Sequence, residues 1–254
     1  MTSRPAPAPA IKEGEIELIP IQKRVRVLFD GKFIADSRKT ILLRRNGYPT
    51  GYYFPANDVQ HEFLKETKKT GQFPGIGQAA LLTIESGRRS AENAAWRVST
   101  EESALAELQN HISFKWGQMD RWLEEDEEVY VHPRDPYTRI DVLQSSRHVR
   151  VEINGETVAE SSRPVILFET GLRPRYYLPL TDVRLDLLQD SDHHTECPYK
   201  GTASYYSIQV GQELQENILW YYPFPNPEVG KIQNLLAFYD EKVNYYLDGE
   251  LLED

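Results

Sequence analysis

The run Cys197-Pro198-Tyr199-Lys200-Gly201, preceded by His193-His194-Thr195-Glu196, places a thiol, a phenol, an amine and two imidazoles within nine residues. If Lys200 approaches Cys197, its positive charge favours the thiolate, and the cysteine becomes a nucleophile or a redox centre. The alternative is a buried cysteine that packs as a small apolar group. Lys200 with Tyr199 and Arg175 could hold an anion; otherwise it is a solvated turn lysine beside Gly201. A zinc site is not expected. Neighbouring histidines on an extended chain face opposite ways, and no second cysteine completes a set of four nitrogen or sulfur ligands. Glu169 is a candidate general base or an anchor for a cationic ligand group. Its alternatives are an exposed strand-end carboxylate or a partner for Arg175. Tyr177 and Trp220 are core aromatics, or the wall of a pocket. His132 and Arg134, with Asp135 and Arg139, make salt bridges between domains or line a cleft between them.

These residues sit in a duplicated chain. Val25-Arg26-Val27 with Gly31 recurs as Val149-Arg150-Val151 with Gly155, an offset of 124. Tyr52-Tyr53-x-Pro55-x-x-Asp58-Val59 recurs as Tyr176-Tyr177-x-Pro179-x-x-Asp182-Val183, and Glu92-Asn93-x-x-Trp96 as Glu216-Asn217-x-x-Trp220. Residues 25–126 against 149–250 give 26 identities in 102 positions without a gap, so the second domain copies the first. The copies differ where chemistry is at stake. Cys197-Pro198-Tyr199-Lys200-Gly201 aligns with Phe73-Pro74-Gly75-Ile76-Gly77, and Glu169 with Arg45. Proline and glycine remain; thiol, phenol and amine are gone. A site of this type is therefore expected in the second copy only.

Each copy reads as mostly strand. Arg24–Phe29 and His148–Ile153 alternate polar and apolar residues, then reach Asp30-Gly31 and Asn154-Gly155, the pairs that favour tight hairpins. Phe33–Ala35, Ile41–Leu43, Tyr52–Phe54 and Ala79–Glu85 continue the strands, as do Thr157–Ala159, Val165–Phe168, Tyr176–Leu178 and Ala203–Val210. A closing helix is expected at the end of each copy. Leu105, Leu108, Ile112, Trp116, Met119 and Leu123 recur at three- and four-residue steps behind a Ser99/Glu102 capping box. Val229, Ile232, Leu236, Val243 and Leu247 do so behind Asn226-Pro227. The expected organisation is a lead-in at 1–20, a first repeat at 21–126, a Pro-containing connector at 127–147 and a second repeat at 148–254.

The formal net charge of −10 argues against a general nucleic-acid binder, whose affinity rests on Lys and Arg against phosphates. It is unevenly placed: 25–126 carries 14 basic and 14 acidic residues, 149–250 carries 8 and 16. No apolar run reaches the ~18 residues a membrane helix needs, and Met1–Ala10 lacks the apolar core of a secretory signal. A lone cysteine forms no internal disulfide, so a cytoplasmic location is expected.

The Cys-Pro-Tyr-Lys-Gly run, Phe168-Glu169-Thr170-Gly171 and Arg175-Tyr176-Tyr177-x-Pro179 resemble the domain of unknown function 427 family, in a tandem, two-copy form. The resemblance implies compact β-rich domains with no established activity. A nucleotidyltransferase-like label sometimes attached to the family has no counterpart in these residues: a Gly-Ser turn followed by two spaced metal-binding carboxylates is not found.

The expectation is mainly β, two tandem antiparallel units, each a small sheet or barrel-like set closed by a C-terminal helix. The pair is expected to imitate a homodimer through a pseudo-two-fold contact, as a monomer or weak dimer. Function is expected to be binding of a small, anionic molecule in the second repeat. Cys197, Lys200 and Glu169 are the candidate catalytic groups. Arg175, Tyr177, Tyr199, Trp220, His132 and Arg134 are the candidate ligand contacts. The residues specify no cofactor. The competing expectation is a non-catalytic scaffold in which the Cys-Pro-Tyr-Lys-Gly run is only a favoured turn.

Overall fold

A computed structural model describes residues 16–45, 47–73, 76–98 and 103–252. The chain divides into two compact units, Met1–Pro136 and Tyr137–Asp254. The first contains β1 (Ile16–Pro20), β2 (Val25–Phe29), β3 (Lys32–Ser37), β4 (Ile41–Arg45), β5 (Tyr48–Pro55), β6 (Leu64–Phe73), β7 (Gly77–Glu85), β8 (Ser90–Val98), β9 (His111–Phe114), β10 (Arg121–Glu124) and β11 (Glu127–Glu128). They form a seven-stranded antiparallel sheet in the order β1-β4-β5-β9-β8-β7-β6 and a four-stranded one, β11-β10-β2-β3.

The second unit contains β12 (Ile140–Gln144), β13 (Val149–Ile153), β14 (Glu156–Ser161), β15 (Val165–Glu169), β16 (Arg175–Tyr177), β17 (Leu188–Cys197), β18 (Gly201–Val210), β19 (Glu213–Tyr221), β20 (Ala237–Phe238), β21 (Asn244–Leu247) and β22 (Glu250–Leu251). Its long sheet appears as two pieces, β12-β15-β16 and β17-β18-β19-β20. An isolated bridge between Leu178 and Leu236 joins them, at the positions where Phe54 pairs with Ile112 in the first unit. The strand order is thus the same in both. Residues of the expected connector take part in pairing: Glu127–Glu128 adds a strand to the first unit, and Ile140–Gln144 pairs with β15.

Turn chemistry explains the register. Asp30 and Gly31 both take positive φ (50° and 70°), as do Asn154 and Gly155 (52° and 81°), so each pair closes a hairpin whose twist suits its strands. A bulge follows Val27 in one hairpin and Val151 in the other, at equivalent positions.

No closing helix is present among the described residues. The expected helices are instead 3-10 turns and short strands: Ser103–Leu108, β9, Trp116–Gln118 and β10 in the first copy, and Pro227–Ile232, β20, Asp240–Lys242 and β21 in the second. Asn110 and Asn234 explain this, because their φ of 61° and 56° lies in the left-handed region that an α-helix cannot pass through. The three- and four-residue stripe is met by separate elements. Leu105 and Leu108 sit on a 3-10 turn, whereas Ile112 and Phe114 face inward from a strand. The Ser99/Glu102 capping box lies outside the described residues. Asn226 precedes Pro227 but makes no side-chain cap. The sheets are open in strand order, so neither unit is a closed barrel.

The long sheet is covered on both faces, which sets where a site can lie. Leu42, Tyr52 and Phe54 face the core shared with the small sheet, while Ile41, Leu43 and Tyr53 face a second cluster with Leu105 and Leu108. The second unit repeats this: Tyr176 and Leu178 face one core, and Leu167, Tyr177 and Trp220 the other, with Val229 and Ile232. Strands buried on both faces read as continuous apolar runs, as Ile41-Leu42-Leu43 does.

Candidate functional site

Cys197 is the last residue of β17 and lies opposite Gly201 at the start of β18, so Pro198-Tyr199-Lys200 forms the turn between them. Gly201 adopts φ +101°, and a Cβ there would stand 3.1 Å from the carbonyl oxygen of Phe224. Only glycine meets both demands. Asn226 straps the turn down: its backbone N–H donates to Lys200 O at 3.0 Å, and its side-chain amide donates to Pro198 O at 3.1 Å. Its amide is therefore used across the fold instead of at the 3-10 turn that follows. The strap directs Lys200 inward, and its side chain is only 11% exposed.

Lys200 Nζ donates to Glu169 Oε2. Glu169 closes β15 and its side chain is 8% exposed, so both charges are withdrawn from water and face each other. The Tyr177 hydroxyl is near enough to feel the Glu169 charge, and Trp220 packs against Tyr177. The Trp220 indole N–H donates to the Tyr177 hydroxyl at 3.4 Å, with the rings edge to face at 6.4 Å. Burial raises the Tyr177 and Tyr222 phenols far above the usual tyrosine range, so both stay neutral. Cys197, half-buried, is near enough to be felt electrostatically at both hydroxyls.

Arg175 does not join Glu169. It pairs with Asp240 at 2.5 Å, and its guanidinium lies 5.8 Å over Trp220. Burial keeps the Asp240 carboxyl above the usual carboxylate range in spite of that arginine. Tyr239 packs on the Trp220 ring at 4.7 Å, and its hydroxyl meets that of Tyr205 at 3.1 Å. The Tyr199 hydroxyl donates to Thr138 Oγ1 at 3.4 Å. The structure thus brings Glu169, Lys200, Tyr177, Trp220, Arg175 and Cys197 into one region.

It does not bring the rest. His193 and His194 lie on the exposed edge strand β17, His193 against the Tyr205 ring at 4.7 Å. No group of three metal-binding side chains occurs among the described residues. His132 and Arg134 belong to the first unit, where His132 lines a cavity beside β5. Sequence reasoning missed Asp240, Tyr222, Tyr239 and the strap residue Asn226. Only Asn226 carried a signal, and it read as a helix cap.

The first copy holds the same frame with other chemistry. The Trp96 indole donates to the Tyr53 hydroxyl at 3.3 Å, edge to face at 6.4 Å, as Trp220 does to Tyr177. Ile76 is buried at the Lys200 position, and Phe73 at the Cys197 position stacks on Trp96 at 4.6 Å. Arg45 replaces Glu169 and stacks on the Tyr48 ring, 3.0 Å from its centroid.

The model of one protein family matches the chain twice, over residues 17–125 and 141–249, and its description is domain of unknown function, DUF427. The chain belongs to the DUF427 family. The two matches begin in β1 and β12, so the family's domain includes the first strand of each unit. No curated protein matches the chain. No helix among the described residues of this DUF427 protein is long and apolar enough to cross a membrane.

Proposed function

We propose that this DUF427 protein binds a small organic anion in its second repeat, at the Lys200–Glu169 pair. The observation that carries the proposal is that pair's burial in a frame that folds without it. Burying two charges is costly, and apolar side chains of similar volume often stabilise a protein equally or better. The first repeat holds Ile76 at the lysine position and keeps the same turn glycine, Trp–Tyr contact and strand order. A pair that the fold does not need is retained for what it can bind. A ligand carboxylate or phosphate takes the Lys200 ammonium in exchange for Glu169, which takes up a proton as it is released, and Trp220 and Tyr177 supply the apolar wall. Lys200 pairs with Glu169 and not with the Cys197 thiol. The reading is therefore binding first, with any reaction secondary.

A second reading has an observation of its own. Lys200, Arg175, Trp220 and Tyr199 all have partners inside the unit, as in a scaffold whose polar groups serve only its own packing. Calorimetric titration with acetate and inorganic phosphate separates the two. Saturable heat in the wild type, unchanged in Cys197→Ala and absent in Lys200→Met, supports binding. No heat with either anion, together with a stability loss in Lys200→Met, supports the scaffold.

A further inference from the structure

The first repeat, expected to be the silent copy, holds an open cavity of about 390 Å³ at the position equivalent to the ion-pair site. Its walls include Tyr53, Phe73 and Trp96, with Trp116 and Trp122 stacked on each other at 4.3 Å and 1° between planes. The volume falls within the range of small-ligand pockets, roughly 300–1,000 Å³. It is well above the roughly 150 Å³ cavity that accepts a benzene ring.

The cavity is open because of what the first copy lacks. Gly51 lines it where the second copy has Arg175, and Trp116 stands where Asp240 does. In the second copy the Arg175 guanidinium and its Asp240 partner occupy the region beside Trp220. At Gly51 there is no side chain to do so.

Its charge is one-sided. Arg45 lines the cavity at 8% exposure, where its guanidinium lies over the Tyr48 ring and is felt electrostatically at the Tyr53 hydroxyl. Lys115 and His132 also line it, and no aspartate or glutamate does among the described residues. Behind the wall, Glu124 is engaged by the Tyr52 hydroxyl and by Lys23. A guanidinium nine-tenths withdrawn from water, without a carboxylate partner among the described residues, beside aromatic walls, suits a flat anion. The carboxylate forks onto Arg45, and the ring stacks within the aromatic wall. A cationic ligand would meet Arg45, and a hydrated sugar would find few polar partners.

We propose that the first repeat is a second binding site, selective for a small planar aromatic carboxylate, with Arg45 as its anion anchor and Gly51 as the residue that keeps it open. The two repeats then bind by different devices: a buried ion pair in one, an arginine in an aromatic cavity in the other. This site does not depend on the second-repeat reading, because the four tryptophans report separately. Trp96, Trp116 and Trp122 lie in the first unit and Trp220 in the second.

The test follows the four indole N–H signals in ¹⁵N-labelled full-length protein during titration with 1-naphthoate, with 1-naphthamide and benzamidine as neutral and cationic controls. The expected result is saturable movement of the Trp96 and Trp116 signals with naphthoate, at least tenfold weaker binding of naphthamide and none of benzamidine. Arg45→Met should weaken naphthoate binding at least tenfold. Gly51→Leu, where the new Cβ meets only the Tyr53 ring at an ordinary 3.8 Å, should abolish it with the fold intact. Gly51→Leu keeps the test decisive if Arg45→Met fails to fold. Equal binding of naphthoate and naphthamide, full binding in Gly51→Leu, or no saturable movement of the first-repeat signals would overturn the proposal.

Discussion

Removing one partner of the Lys200–Glu169 pair has an effect that the structure sets in advance. Both side chains are about nine-tenths buried, so Lys200→Met leaves a carboxylate, and Glu169→Leu an ammonium, in a low-dielectric interior with its partner gone. Such a loss costs about 3–5 kcal/mol, whereas replacing both residues with apolar ones of similar volume is close to neutral. Lys200→Met with Glu169→Leu should therefore fall within about 1 kcal/mol of the wild type, a coupling of roughly 6–10 kcal/mol between neighbours. The assay is native-state hydrogen exchange read by mass spectrometry on peptides of β18, which follows the turn bearing Lys200, with β7 of the first unit as internal control. At about 1.4 kcal/mol per factor of ten, each single variant should speed β18 exchange by ~10²- to 10³-fold while β7 stays unchanged. The double variant should return to near the wild-type rate. Single variants within a few-fold of the wild type, or a double variant as fast as the sum of the singles, would refute the view that this is a buried and mutually dependent pair.

Further outcomes follow from the neighbouring geometry. Asn226→Ala removes the bond to Pro198 O and should cost about 1 kcal/mol, with faster alkylation of Cys197 as the turn loosens; an unchanged rate would mean the strap does not hold the turn. Gly77→Ala should lose about 1–2 kcal/mol in a urea titration through its positive φ alone, and Gly201→Ala more, because its Cβ also meets Phe224 O. Equal losses would show that the close approach carries no weight. Asp182 is held at about 2 by the Arg163 guanidinium, with help from the Ser161 and Thr181 hydroxyls. Its folded value lies below the unfolded one of about 3.9. Its contribution is present above pH ~4 and disappears as pH falls towards ~2. In Asp182→Asn the acid unfolding profile of the second unit should be flatter over that window.

How far the fold could be read in advance depended on whether local chemistry or the rest of the chain decides each element. Asp30-Gly31 and Asn154-Gly155 can hardly adopt another turn, and the 124-residue offset passed every hairpin from one copy to the other. Edge strands β6 and β17 escaped notice because their composition is what protects an edge. Leu64–Phe73 reads LKETKKTGQF and Leu188–Cys197 reads LQDSDHHTEC, polar and charged along a row of unpaired backbone groups. The His193-His194 pair, for which no zinc site was expected, is part of that edge. The closing helices failed at Asn110 and Asn234, whose left-handed backbone only the tertiary structure reveals. In the second repeat, residue type identified the charges but not their pairing: Arg175 went to Asp240, some 65 residues away, and left Glu169 to Lys200. The cavity of the first repeat rested on an absence, the missing side chain of Gly51, which no search for reactive groups would select.

The central claim is that Lys200 and Glu169 are kept for a ligand and not for the fold. It is tested most directly by the Trp220 indole N–H signal during titration with benzoate, in the wild type and in the Lys200→Met/Glu169→Leu variant. The account predicts a saturable shift in the wild type and a folded double variant whose Trp220 signal no longer responds. A wild-type signal that stays still, or a double variant that responds as the wild type does, would contradict it.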